Sequence, residues 1–168
     1  MINLKIIYKV LGSLLFIEVV MLFCCLMMSI YYQEDDMMAF IVTIALTTAA
    51  GVALKYKGYH AENSMGRRDA YLLVTLTWLI FSIFGALPFI ISGYINNYTD
   101  AFFETMSGFT TTGASIIDDV EALPRGLLFW RTMTQWIGGL GIVFFTIAIL
   151  PSLVGGSMRV FSAEATGP

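Results

Sequence analysis

Charged side chains are scarce in this chain, and their scarcity excludes most soluble architectures. Asp, Glu, Lys and Arg make up 12% of the 168 residues, against 58% hydrophobic ones, and the mean hydropathy is +0.79. A soluble domain carries about twice that share of charge, roughly 25%. Histidine is nearly missing: His60 stands alone in a polar loop and reads as solvated. Only two cysteines occur, Cys24 and Cys25, adjacent and inside an apolar run. Neighbouring thiols make a strained disulfide, and two cannot close a zinc site, so they read as packing residues. No basic run interleaved with aromatics marks a nucleic-acid surface. The ten methionines are scattered, with no ladder that would suggest a copper path. An A-x-A-like cleavage site is missing after the first apolar run, which therefore reads as a retained transmembrane helix. The net charge of −3 says little about partners.

What the chain has is long apolar segments. Uncharged runs near twenty residues define an all-α membrane protein. Two leading spans cover about Ile6 to Tyr32 and Met37 to Leu54, separated by Gln33-Glu34-Asp35-Asp36. A polar loop, Lys55 to Asp69, completes a first portion, residues 1–69. A third span occupies Ala70 to Ile95, with a kink expected at Pro88 from the lost backbone bond. A fourth covers about Leu127 to Leu150, closed by Pro151 and Gly155-Gly156. Residues 70–156 thus form one span–loop–span unit, and 157–168 a tail.

The distribution of charge orients these spans. With the N-terminus in the cytoplasm, Lys5, Lys9, Lys55, Lys57, Arg67, Arg68 and Arg159 lie inside, and only Arg125 and Arg131 outside. That bias is the positive-inside pattern. Glu34, Asp35, Asp36, Asp100, Glu104, Asp118, Asp119 and Glu121 then face outward, as a vestibule that would concentrate cations.

Between the third and fourth spans lies a polar island, Asn97 to Ser115, too short to cross a bilayer. Residues 100–107 read as a short helix capped by Thr99 or Asp100, with Gly108 free to take φ > 0 just past its end. Thr110-Thr111-Thr112-Gly113-Ala114-Ser115 follows, rich in hydroxyls and without a carboxylate. Eight helical residues advance roughly 12 Å, and six extended ones return about 20 Å. The pattern fits a hairpin dipping into the membrane from outside. A cation there would need fixed oxygens in place of its water shell. Threonine hydroxyls, main-chain carbonyls and the negative end of the short helix supply them. The plainer alternative is a polar turn in an outer loop.

Span, short helix, Thr-x-Gly and span is also the layout of potassium-channel pore loops. Two stretches carry a more specific likeness: Phe102-Phe103-Glu104-Thr105-Met106-Ser107-Gly108-Phe109-Thr110-Thr111-Thr112-Gly113-Ala114-Ser115, and Leu123 to Ile142 with its Trp136-Ile137-Gly138-Gly139-Leu140-Gly141. Together they resemble the membrane subunit of the bacterial Trk/Ktr potassium-uptake family, on the Trk side. The resemblance implies four such units around one pore, a homodimer, and a cytoplasmic nucleotide-binding regulatory subunit. It places the protein in the bacterial inner membrane. K+ is the transported ion, with no organic cofactor and no nucleic acid. Thr111, Thr112 and Gly113 would give the first unit's K+-coordinating carbonyls, with Thr110, Ala114 and Ser115 flanking. Only one hairpin is present, so the chain is expected to be an N-terminal portion that does not conduct alone. Passive flow and symport both stay open. A non-transporting membrane anchor is the competing function, and an intramembrane enzyme has no nucleophile or metal set to rest on.

Four further features are read from the residues. Glu18 is mid-span, where a charge is costly: either it pairs with a polar group of a neighbouring helix or lines a water path, or, more plainly, it is protonated or faces the protein interior for packing reasons. Gly138, Gly139 and Gly141 are expected to make room for the hairpin, with a gating hinge as the alternative. Arg125 and Arg131 are expected to snorkel, or to pair with Asp118, Asp119 or Glu121. Trp78, Trp130 and Trp136 read as interfacial or packing aromatics.

Overall fold

The computed structural model describes residues 2–61 and 66–141. Five helices are complete within them: α1 (Leu4–Tyr32), α2 (Met37–Lys57), α3 (Arg67–Gly85), α4 (Leu87–Ile91) and α5 (Tyr98–Phe109). A sixth, α6, begins at residue 125 and is described to residue 141. The expected closure of the fourth span at Pro151 and the tail at 157–168 lie outside the described residues. Among those described there is no strand. Three segments are long and apolar enough to cross a membrane: Leu4–Tyr32, Met37–Lys57 and Arg68–Ile91.

The leading helices α1 and α2 form an antiparallel hairpin with very close backbones. A Cβ on Gly12 would stand 2.8 Å from the Gly51 carbonyl oxygen, and one on Gly58 would stand 2.5 Å from the Lys9 nitrogen. The same interface buries Leu15, Glu18 and Leu22 of α1, and Phe40, Thr43 and Thr47 of α2. Thr47 is one turn from Gly51, and Glu18 one turn beyond Leu15, so the two sit at one level. Glu18 is fully buried, and neither of its carboxyl oxygens nor the Thr47 hydroxyl has a hydrogen-bond partner among the described residues. The interior-facing reading of Glu18 therefore matches its position.

At one end of the bundle, Asn3 caps α1 through its side chain while its own N–H donates to Asp69 at 2.9 Å. The other oxygen of Asp69 accepts from the Gly66 N–H at 2.9 Å, so one carboxylate ties together the starts of α1 and α3. At the opposite end, Gln33 closes α1 in the left-handed region at φ 56. Of the next three acidic residues Asp35 is exposed, while half-buried Glu34 and buried Asp36 are engaged by donors of the protein and do not stand free in a vestibule. Glu34 accepts from the backbone N–H groups of Arg125 and Gly126, and Asp36 from the Ser29 hydroxyl and the Leu127 N–H. They satisfy the orphan donors at the start of α6 and complement its dipole. Burial pushes the Asp36 carboxyl above its ordinary range, while the Ser29 hydrogen bond pulls the other way.

The third span differs from its expected course. It breaks at Ala86 and resumes as α4, with Pro88 in the first turn, where a missing N–H costs nothing. The Gly85 carbonyl beside the break accepts from the Trp130 indole N–H at 2.8 Å. Trp130 is thus a fully buried core residue, not an interfacial one. Around it Phe81, Phe89, Phe109 and Leu127 join Leu15, Leu22 and Phe40 in one core.

Candidate ion-coordinating hairpin

The hairpin is built on α5, which starts earlier and ends later than the spacing predicts. Asn97 is the N-cap, its side chain accepting from the Thr99 N–H at 3.1 Å, so Thr99 and Asp100 fall inside the helix. Gly108 is also helical, and its small size has another cause. A Cβ there would lie 2.2 Å from the Thr134 hydroxyl oxygen of α6. The positive φ values come later, at Thr111 (56°) and Gly113 (77°). Phe109, the last helical residue, is fully buried against Trp78, Phe81 and Trp130, with ring centroids 6.5, 5.5 and 6.2 Å away. Trp78 and Phe81 lie in the middle of the third span, so the tip of α5 sits at mid-span depth.

Past Phe109 the chain reverses over its own helix end. The N–H groups of Thr110, Thr111 and Thr112 donate to the carbonyls of Met106, Gly108 and Ser107, each at 2.9 Å. The Thr110 hydroxyl donates to the Met106 carbonyl at 2.8 Å and lies 2.8 Å from the Thr112 hydroxyl. With the amides turned back, the carbonyls of Thr111, Thr112 and Gly113 accept no hydrogen bond from any described residue. Ala114 behaves differently: its carbonyl accepts from the Ser107 hydroxyl at 2.6 Å. All six residues from Thr110 to Ser115 are exposed in this chain.

The return limb is held by Glu104, whose carboxylate is buried between α5, the limb and α6. It accepts from the Ser115 hydroxyl at 2.9 and 3.1 Å, from the Ile116 N–H at 3.1 Å and from the Arg131 Nε at 2.7 Å. The side chains of Arg131 and Glu104 are 18% and 2% exposed. Neither residue does what its position in the sequence suggests: Arg131 pairs inward and not with Asp118, Asp119 or Glu121, and Glu104 is no vestibule acid. The signal was present, because a charge within an apolar span calls for a named partner. Glu104 and Ser107 also share one face of α5 at helical spacing.

The glycines of α6 have separate neighbours. A Cβ on Gly138 would fall 2.1 Å from the Phe109 carbonyl oxygen and 3.0 Å from its Cα. One on Gly141 would meet the Trp78 ring at 2.9 Å, and at Gly139 nothing lies within 4 Å. Among the described residues no group of three or more His, Cys, Asp or Glu could hold a metal ion.

Three membrane-length helices, then a short helix ending at mid-span depth, an irregular return limb and the start of α6, define a class: an all-helical membrane protein. The chain belongs to the TrkH family, whose model, described as a cation transport protein, matches residues 36–168. It is similar to the Trk system potassium uptake protein TrkH of Halomonas elongata, 34% identical over 167 residues, which are 99% of this chain and 35% of that protein. The protein of the same name from Escherichia coli K12 is 42% identical over 131 residues, 77% of this chain and 27% of that one. Among solved structures, the crystal structure of the potassium transporter TrkH from Vibrio parahaemolyticus aligns with TM-score 0.81 and 33% identity. The alignment covers 88% of this chain and 32% of that one. The chain thus spans about a third of the length of these relatives. The family is one of transporters, not enzymes.

Proposed function

We propose that this chain serves potassium uptake, with the main-chain carbonyls of Thr111, Thr112 and Gly113 replacing part of the hydration shell of K+. Thr110, Ala114 and Ser115 flank that ring. Further units of the same kind, in a longer chain, complete the path around the exposed side of the hairpin. The names of the relatives, potassium uptake proteins and a potassium transporter, support the choice of ion. One observation supports the coordinating role: three successive carbonyls are left without a donor among the described residues while the amides of Thr110, Thr111 and Thr112 are folded back. Such carbonyls, held at mid-span depth, need a cation, water or other protein as partner. The working protein is a homodimer in the bacterial inner membrane, N-terminus in the cytoplasm, under a nucleotide-binding regulatory subunit. Lys5, Lys9, Lys55, Lys57 and Arg68 gather at the end of the bundle opposite the return limb, which supports that orientation.

Gly113 supplies the test. A Cβ there meets nothing within 4 Å, so Gly113→Ser introduces no clash. Its cost to the fold is the φ of 77°, about 1–2 kcal/mol for a side chain in that region. In the full-length protein, Gly113→Ser should leave the amount of folded protein nearly unchanged. It should abolish potassium-limited growth or admit sodium. Unchanged uptake and unchanged sodium exclusion would leave the hairpin as a mere loop and favour a non-transporting anchor.

A further inference from the structure

Where the outer ends of α1 and α6 diverge, a half-open cleft of about 220 Å3 is bounded by Met28, Tyr32, Arg125, Leu128, Phe129 and Thr132. Arg125, the first residue of α6, is exposed at its mouth, with the guanidinium 4.7 Å from the centroid of the Tyr32 ring. Stacking on that ring fixes where the charge sits. No carboxylate of the described residues forms an ion pair with it. Its neighbour Glu34 is engaged by the backbone N–H groups of Arg125 and Gly126. Below the guanidinium the walls are apolar, made by Met28, Leu128 and Phe129, and reach Thr132, about 10 Å farther along the helix. The Thr132 hydroxyl is turned to its own helix, donating to the Leu128 carbonyl at 3.0 Å.

We propose that this cleft binds an anionic glycerophospholipid, its phosphate on the Arg125 guanidinium and the start of one acyl chain along Met28, Leu128 and Phe129. The charge is complementary, since guanidinium and phosphate pair through two parallel hydrogen bonds. Position identifies the source of the phosphate. The cleft opens beside α1, which is long and apolar enough to cross a membrane, and an apolar wall below a single cation suits a lipid better than a free anion. Occupancy would brace α1 against α6, the helix that carries Arg131 and Gly138.

The test is native mass spectrometry of the purified full-length protein with added palmitoyl-oleoyl phosphatidylglycerol, and separately with phosphatidylcholine of the same chains. Phosphatidylglycerol adducts should exceed phosphatidylcholine adducts. Arg125→Gln should lower them about ten-fold, the loss of one charge-assisted contact, while Arg125→Lys retains part of the binding and Lys57→Gln at the opposite end changes nothing. Phe129→Ala should weaken the lipid a few-fold. If Arg125→Gln fails to fold, Tyr32→Leu replaces it, with a loss of about three-fold. Adduct levels indifferent to both Arg125→Gln and Tyr32→Leu would overturn the proposal. So would displacement of the lipid by inorganic phosphate together with indifference to Phe129→Ala, or a cleft found filled by protein.

Discussion

Replacing Glu104 with alanine is expected to abolish uptake and to be among the most destabilising single changes in the unit. The carboxylate ties α5, the return limb and α6 together, through Ser115, Ile116 and Arg131. Removing it leaves the Arg131 guanidinium, 18% exposed, without its counter-charge. Losing one partner of a buried pair costs about 3–5 kcal/mol. The freed Ser115 hydroxyl and Ile116 N–H add little in this chain, because both residues are exposed and water can take the place of the carboxylate. Glu104→Gln separates the two roles. The amide oxygen still accepts from the limb but no longer balances Arg131, so the fold should survive better than uptake or ion selectivity. A double-mutant cycle on Glu104 and Arg131, read by thermal unfolding in detergent, should give a coupling of about 2 kcal/mol or more. A coupling near zero would make the contact incidental.

The second large effect is expected at Gly138. There α6 passes so close to the end of α5 that an added methyl would overlap the Phe109 carbonyl oxygen at 2.1 Å and crowd its carbon at 2.7 Å. The obstacle is backbone, which no rotamer change moves. Gly138→Ala must push the helices apart or shift the end of α5, and overpacking of this kind costs about 1–3 kcal/mol, sometimes more. The displacement falls on Phe109, one residue before Thr110, so uptake should fall more steeply than stability. Gly139→Ala provides the internal comparison: with nothing within 4 Å, it should be tolerated. The pair is read by the amount of folded protein on size-exclusion chromatography and by rubidium uptake. Equal tolerance of the two substitutions would show that α6 does not press on the hairpin.

The parts of this fold that were legible in the sequence are those fixed by local composition. Long apolar runs placed α1 and α2, and the polar island from Asn97 to Ser115 stood out because its neighbours are apolar. Membrane class, helix order and the family resemblance followed from such runs and from two long motifs. What was not legible depends on residues far apart in the chain. Glu104 and Arg131 are separated by 27 positions, and no periodicity joins a residue on α5 to one on α6. Asp36 looked like one more outward acid because nothing local announces that it caps a helix 91 residues later. The end of α5 was misplaced for a related reason. Gly108 has the freedom to end a helix, but it stays helical and its missing Cβ makes room for Thr134, while the positive φ falls at Thr111. Pro88 marked a distortion correctly, though the break falls at Ala86 and depends on Trp130 to satisfy the Gly85 carbonyl.

Crystals of the full-length protein soaked in thallium, an electron-rich stand-in for K+, measure the central claim directly. The account predicts anomalous peaks within coordination distance of the main-chain oxygens of Thr111, Thr112 and Gly113, weakened or lost in Gly113→Ser. Thallium bound at carboxylates elsewhere, with nothing beside those three carbonyls, would contradict it.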